Sequence, residues 1–269
     1  MVFHVLACEV FQREFLALEP EVPSRLIWHF QPFGLHNTPE KLAGHLQGVI
    51  DSIRGGDAIL IGYGLCSRGT AGLTARRIPL VIPRAHDCIT VFLGSKERYA
   101  REFQEHPGTY YYSPGWVAHH RQSGGPLDLN SPQAKARLEA KFAEYVHKYG
   151  EENARYLIEV ETQWLQHYSR LAYIETGVGT EADRRFVREL TVLNHWEYVE
   201  LPGDLSLMRR FLSGQWDPVD FLVVPPGYRI QETLDERVVT AVPAEEGRLN
   251  DAQKDRVDAA GEDSSRAEP

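Results

Sequence analysis

The sequence is poor in sulfur, with three cysteines and two methionines in 269 residues. Three is an odd number and too few for a disulfide scaffold of this size, which leaves the thiols to act as ligands or nucleophiles in a reducing compartment. Long apolar runs are missing too: no uninterrupted stretch approaches the roughly 18 to 20 residues a membrane helix needs. The opening Met1-Val-Phe-His-Val-Leu-Ala-Cys-Glu9 has no basic start and meets an acid too early for a signal peptide. A cytoplasmic protein with no membrane partner is expected. Positive charge is also in short supply, with 29 Lys and Arg against 38 Asp and Glu for a net charge of −9. No global basic field exists to hold a polyanion, so nucleic acid is not expected as a partner. What is present is the balance of a globular chain, 42% hydrophobic and 25% charged, which excludes disorder throughout.

Short apolar runs alternate with amphipathic stretches, the pattern of parallel strands joined by crossover helices. Phe3-His-Val-Leu-Ala7 and Arg25-Leu-Ile-Trp-His-Phe30 read as strands. Thr38-Pro39 then supplies a helix cap and first helical residue, and Leu42, Leu46, Val49, Ile50 and Ile53 recur along one helix face up to Gly55-Gly56. Asp57 to Tyr63 and Ile78 to Ile82 are apolar at nearly every position, as expected of strands covered on both faces. Further on, the pattern predicts a helix over 96–105, a strand over Thr109-Tyr-Tyr-Tyr112 and a polar loop over 119–130. A helical hairpin follows, and then strand and helix alternate again to Val224. The expected fold class is α/β, mainly parallel sheet layers with crossover helices. The expected organisation is an N-terminal α/β half with the cysteines (1–125), a helical hairpin (126–170), a C-terminal α/β half (171–231) and a disordered acidic tail (232–269).

The chemistry is read from where rare residues fall relative to the strands. Cys8, Cys66 and Cys88 each lie just past the carboxyl end of a predicted strand, the edge at which open α/β sheets bind their ligands. Convergent thiols bind a soft or borderline metal, or one acts as nucleophile while the others assist. With His86 two residues before Cys88, a Cys3His zinc site is one outcome. A 4Fe–4S cluster held by the three cysteines, with one iron open to substrate, is the other. The plain alternative is that the cysteines are simply core, since the residue is commonly buried. Arg68 and Arg84, near cysteines, suit a carboxylate or phosphate of a substrate. Glu9 and Glu175 suit acid–base work if partly desolvated. Gly115, Gly177 and Gly179 follow strands and would let backbone approach a ligand, with Gly177-Val-Gly179 cradling an anion ahead of a helix. The third glycine of a dinucleotide fingerprint is missing, so no such cofactor is expected.

The segments Gly62-Tyr-Gly-Leu-Cys66, Pro83-Arg-Ala-His-Asp-Cys-Ile-Thr-Val-Phe-Leu-Gly94 and Tyr112-Ser-Pro-Gly-Trp116 resemble an uncharacterised family of methanogens and other anaerobic or methylotrophic microbes. The likeness runs from residue 1 to about 228. Members often occur near corrinoid methyltransferase systems, so the resemblance implies one-carbon or corrinoid-linked metabolism. It assigns no catalytic residue. The three thiols are also similar to those of quinolinate synthase, although here all three fall in the first third of the chain. His86-Asp87-Cys88 resembles the His-x-Cys element of zinc-dependent thiol methyltransferases, without their barrel pattern.

Taken together, the expected function is that of a metal-binding protein, with zinc or an iron–sulfur cluster and a small acidic or corrinoid-linked substrate. Methyl transfer or a lyase reaction would be its chemistry, and a corrinoid protein or methyltransferase its partner. Two other classes compete with this one. The chain would be a non-catalytic accessory that carries metal or corrinoid, or a metal-free α/β protein that binds a small ligand.

Overall fold

A computed structural model describes residues 1–35, 38–66, 68–123 and 132–244. In chain order the elements begin β1 (Val2–Cys8), α1 (Gln12–Leu18), β2 (Arg25–Gln31), α2 (Pro39–Ser52), β3 (Ala58–Gly62), β4 (Leu80–Pro83), α3 (Cys88–Leu93) and α4 (Lys96–Glu105). They continue with β5 (Thr109–Tyr112), α5 (Pro114–Ser123), α6 (Pro132–Tyr149), α7 (Glu151–Gln163), β6 (Arg170–Glu175), α8 (Glu181–Asn194) and β7 (Glu197–Pro202). The last are α9 (Ser206–Ser213), β8 (Phe221–Val224), β9 (Tyr228–Glu232) and β10 (Val239–Pro243). The fold is α/β with mostly parallel sheets, as the alternating pattern predicts. Two compact units share the chain. One takes Met1–Ala7, Val22–Cys88 and the chain from Arg210 onward, and the other takes Cys8–Glu21 and Ile89–Arg209.

The first unit holds a five-stranded sheet in the order β2-β1-β3-β4-β8. β1 runs parallel to β3, from Phe3 beside Ala58 to Ala7 beside Gly62, and β3 runs parallel to β4, with Leu60 beside Val81. All five residues of β3 and all four of β4 are buried, which is why those segments are apolar at both strand parities. α2 buries Leu42, Leu46 and Ile50, the stripe its three- and four-residue spacing predicts. β8 lies antiparallel to β4, with Pro83 beside Phe221.

An antiparallel hairpin of β9 and β10 completes this unit, and β9 also exchanges backbone bonds with the segment 72–75, Gly72 donating to Ile230 and Ile230 to Leu73. Ordered chain therefore reaches Ala244, beyond the 232 at which a tail is expected from the sequence. Residues 245–269, where the rest of that tail falls, lie outside the described residues. The hairpin escapes sequence pattern because its strands are short and mostly half-exposed.

The second unit holds the parallel sheet β5-β6-β7, with Tyr112 beside Tyr173 and Ile174 beside Leu201. Its core gathers Tyr112, Val117, Leu171, Tyr173, Val187 and Leu190. α8 begins with a capping box in which Thr180 accepts from the Asp183 amide and Asp183 accepts from the Thr180 amide, worth about 1 kcal/mol of helix stability. α6 and α7 pack on each other, tied by Lys141 to Glu161 at 2.7 Å and by the Tyr145 hydroxyl donating to Glu161 at 2.6 Å.

Two expectations about organisation change. The sequential division at residue 125 becomes an interleaved one, because β8, β9 and β10 return to the unit that contains β1, β3 and β4. The loop expected over 119–130 begins as helix, since α5 carries His119 and His120 and runs to Ser123, and residues 124–130 lie outside the described residues.

Candidate functional site

The residues singled out from sequence fall at two strand edges, one in each unit. In the first unit the carboxyl ends of β3 and β4 lead into the loops that carry Cys66 and His86-Asp87-Cys88. Backbone bonds tie these loops together: the Cys66 amide donates to the His86 carbonyl at 2.9 Å and the Leu65 amide to the Ala85 carbonyl at 2.8 Å. Gly64 is required here, because a Cβ would stand 2.8 Å from the Ala85 carbonyl oxygen and from the Asp87 nitrogen. The buried hydroxyl of Thr70 donates to the Gly64 carbonyl at 3.1 Å and braces the turn. Cys66 has φ 48° and Arg68 φ 72°, left-handed conformations that few non-glycine residues adopt. Cys66 and Cys88 are half-buried and His86 is exposed.

The arginines of this unit are committed elsewhere. Arg84 donates to the carbonyls of Pro218 at 2.9 Å, Arg237 at 3.0 Å and Val239, so its guanidinium fastens the β9–β10 hairpin to the end of β4. Burial lowers its pKa. Arg68 is exposed and pairs with Glu232 at 2.8 Å.

In the second unit the three parallel strands end together at glycine-bearing segments: Ser113 and the first turn of α5 with Gly115 after β5, Thr176-Gly-Val-Gly-Thr180 after β6 and Pro202-Gly-Asp204 after β7. Gly115 is there for packing, since a Cβ would meet the Val10 carbonyl oxygen at 1.9 Å. Gly177 takes φ 85°, and its amide donates to Glu175 Oε1 at 2.7 Å. The other oxygen of Glu175 binds Arg184. Of the cradle expected of Gly177 and Gly179, the Gly177 amide is bonded to the carboxylate of Glu175 itself. Gly179 lies against the Tyr173 hydroxyl, 2.0 Å from where its Cβ would be. Glu9 is exposed, while Cys8 is 5% exposed and burial pushes its thiol up to about 11.

The sequence reading misses Arg13 and Glu14 on α1, which join this edge. Arg13 donates to Asp183 at 2.8 Å, to the Val178 carbonyl at 2.6 Å and to the Pro114 carbonyl at 3.3 Å. Glu14 is fully buried and accepts from the Thr176 hydroxyl at 2.9 Å. Burial raises its pKa to about 7. The signal was present in the sequence. Phe11, Phe15 and Leu18 form an apolar stripe at helical spacing, and an acid at position 14 sits on that stripe instead of opposite it.

Among the described residues no three His, Cys, Asp or Glu side chains are placed so as to hold a metal ion. Cys8 ends β1, the parallel neighbour of β3, so the three cysteines follow or end strands of the five-stranded sheet, with the division between the units falling at Cys8 and just after Cys88. By residue type alone, two thiols and an imidazole are donors that zinc takes, and three thiols are donors that a 4Fe–4S cluster takes.

Residues 30–212 match the family described as "Protein of unknown function (DUF1638)". The chain belongs to that family. The matched stretch contains both tied loops and all three glycine-bearing segments of the second unit, while Cys8, Arg13 and Glu14 precede it. No curated protein and no solved structure matches. Among the described residues no helix is long and apolar enough to cross a membrane.

Proposed function

We propose that this member of the family is a zinc-dependent protein of one-carbon metabolism. Cys66, Cys88 and His86 are the residues that would hold the metal at the carboxyl edge of β3 and β4. The observation that carries the reading is the bond between the Cys66 amide and the His86 carbonyl, which joins two loops distant in sequence with Cys66 in a left-handed conformation. Unusual backbone of this kind clusters at sites where geometry matters for function. A zinc ion held by these side chains would supply activation of a thiol or water, because the cation stabilises the deprotonated ligand near neutral pH.

The chain's own part is positional. Gly64 lets the two loops close on each other, Thr70 fixes the turn, and Arg84 anchors the hairpin to the strand that leads into His86. Methyl transfer to a thiol, with a corrinoid-linked donor, is the reaction this reading favours. Zinc is preferred to a 4Fe–4S cluster because the two tied loops carry an imidazole beside their two thiols, the mixed donor set that zinc takes.

Anaerobic purification followed by elemental analysis and an absorption spectrum tests this directly. The expected result is a colourless protein with close to one zinc per chain, lost in Cys66→Ser and Cys88→Ser and kept in Cys8→Ser. A broad charge-transfer band with iron, lost in all three variants, would replace zinc by a cluster. Wild-type protein that contains neither metal would sink the metal reading altogether and leave a metal-free binding protein.

A further inference from the structure

Glu14 is a fully buried carboxyl with one satisfied oxygen and one orphan. Oε1 accepts from the Thr176 hydroxyl, whereas Oε2 meets no hydrogen-bond partner among the described residues. Its neighbour Arg13 cannot serve it as the molecule stands, because that guanidinium is already bound to Asp183, Val178 and Pro114. Thr176 and Val178 both belong to the glycine-rich loop after β6. Two successive residues of α1 thus grip one loop, Glu14 at its first residue and Arg13 at its third. From the other side Gly203 presses on the same place, where a Cβ would stand 2.9 Å from Thr176 Cγ2 and 2.8 Å from the Glu175 carbonyl oxygen.

We propose that Glu14 and Thr176 form a proton-controlled latch on the loop 176–180: with Glu14 neutral the loop is held against α1, and with Glu14 ionised it is released. A neutral carboxylic acid tolerates this enclosure at moderate cost. A carboxylate with a single hydroxyl donor and an unsolvated second oxygen does not, since unpaired buried charge costs several kcal/mol. Two relaxations are open to it. The carboxylate turns toward water and drops Thr176, or it draws Arg13 away from Val178 and Asp183. Either one loosens the loop, and the glycines at 177 and 179 let the backbone follow. The loop lies at the carboxyl edge of a parallel sheet, where ligands enter such folds, so release would open that edge.

The titratable groups around α1 are consistent with control by this one carboxyl. The turns before and after α1 carry Glu9, Glu19 and Glu21, and α5 carries His119, His120 and Arg121. α8 brings Asp183 and Arg184, with Glu175 at the end of β6 and Asp204 after β7. Arg13 lowers and Asp183 raises the Glu14 pKa, but desolvation outweighs both and brings it to about 7.

Hydrogen exchange of the peptide 174–182 in the full-length protein, referenced at each pH to the unfolded rate, tests the latch between pH 5.5 and 8.5. Protection should fall about tenfold with a midpoint near pH 7. Glu14→Gln should keep the low-pH level throughout, and Thr176→Val should show reduced protection already at pH 5.5. A 13C-glutamate titration of the wild type gives a second readout that needs no variant, and the Glu14 side-chain carbon should titrate near pH 7. Flat protection in the wild type, an unchanged step in Glu14→Gln, or a Glu14 carbon that titrates near 4.5 would each overturn the proposal.

Discussion

Glu14 makes a stability claim as well as a conformational one. Its pKa is raised from 4.5 to about 7 on folding, so between these values the folded chain binds more protons than the unfolded one. Stability is therefore highest below pH 4.5 as far as this group is concerned, and it declines as pH rises through about 7. At about 1.4 kcal/mol per unit, the full swing is about 3 kcal/mol. Glu14→Gln removes it, so urea melts at pH 8 should find the variant more stable than the wild type by up to that amount, with little difference at pH 4.5. A variant less stable at pH 8 would show that the Thr176 bond outweighs the desolvation cost. Arg13, on the same turn, is in the opposite state, with several acceptors around one cation.

At the scale of elements, the hairpin of β9 and β10 depends on contacts outside itself. A two-stranded ribbon is marginal alone in water, and this one gains the backbone bonds of 72–75 along β9 and the Arg84 guanidinium at its end. Arg84→Ala leaves three carbonyls without that donor and should cost about 1 to 3 kcal/mol. Faster hydrogen exchange over 228–243, with β3 and β6 unchanged, is the expected signature. Exchange unchanged over the hairpin would mean that 72–75 suffices to hold it. Arg84 drew notice in the sequence for lying close to a cysteine. Its position after β4 was legible, but its partners, more than 130 residues away, were not.

For the whole molecule, the consequential feature is that neither unit is a continuous piece of chain. The first needs residues before 88 and after 210, and the second needs Cys8–Glu21 as well as 89–209. A fragment of residues 1–125 lacks β8, β9 and β10 from one unit and β6 and β7 from the other. It should show no cooperative thermal transition by circular dichroism, while the full chain melts cooperatively. A sharp transition in the fragment would mean that the sheet β2-β1-β3-β4 is self-sufficient without β8.

Sequence alone determined the α/β class and the main parallel strands, because apolar periodicity and turn chemistry are local properties that survive without knowledge of partners. Thr109 to Tyr112 and Leu42 to Ile50 are readable in that way. Sequence also singled out the ends of β1, β3 and β4, through three thiols and an imidazole at or just past apolar runs. Only the tertiary structure decided that Cys66 and His86 share a backbone bond, that β8 returns antiparallel to β4, and that Glu14 is enclosed beside Thr176. Each of these joins residues 20 to more than 160 positions apart. Such pairings are set by chain crossing and burial, and neither leaves a periodic trace along the sequence.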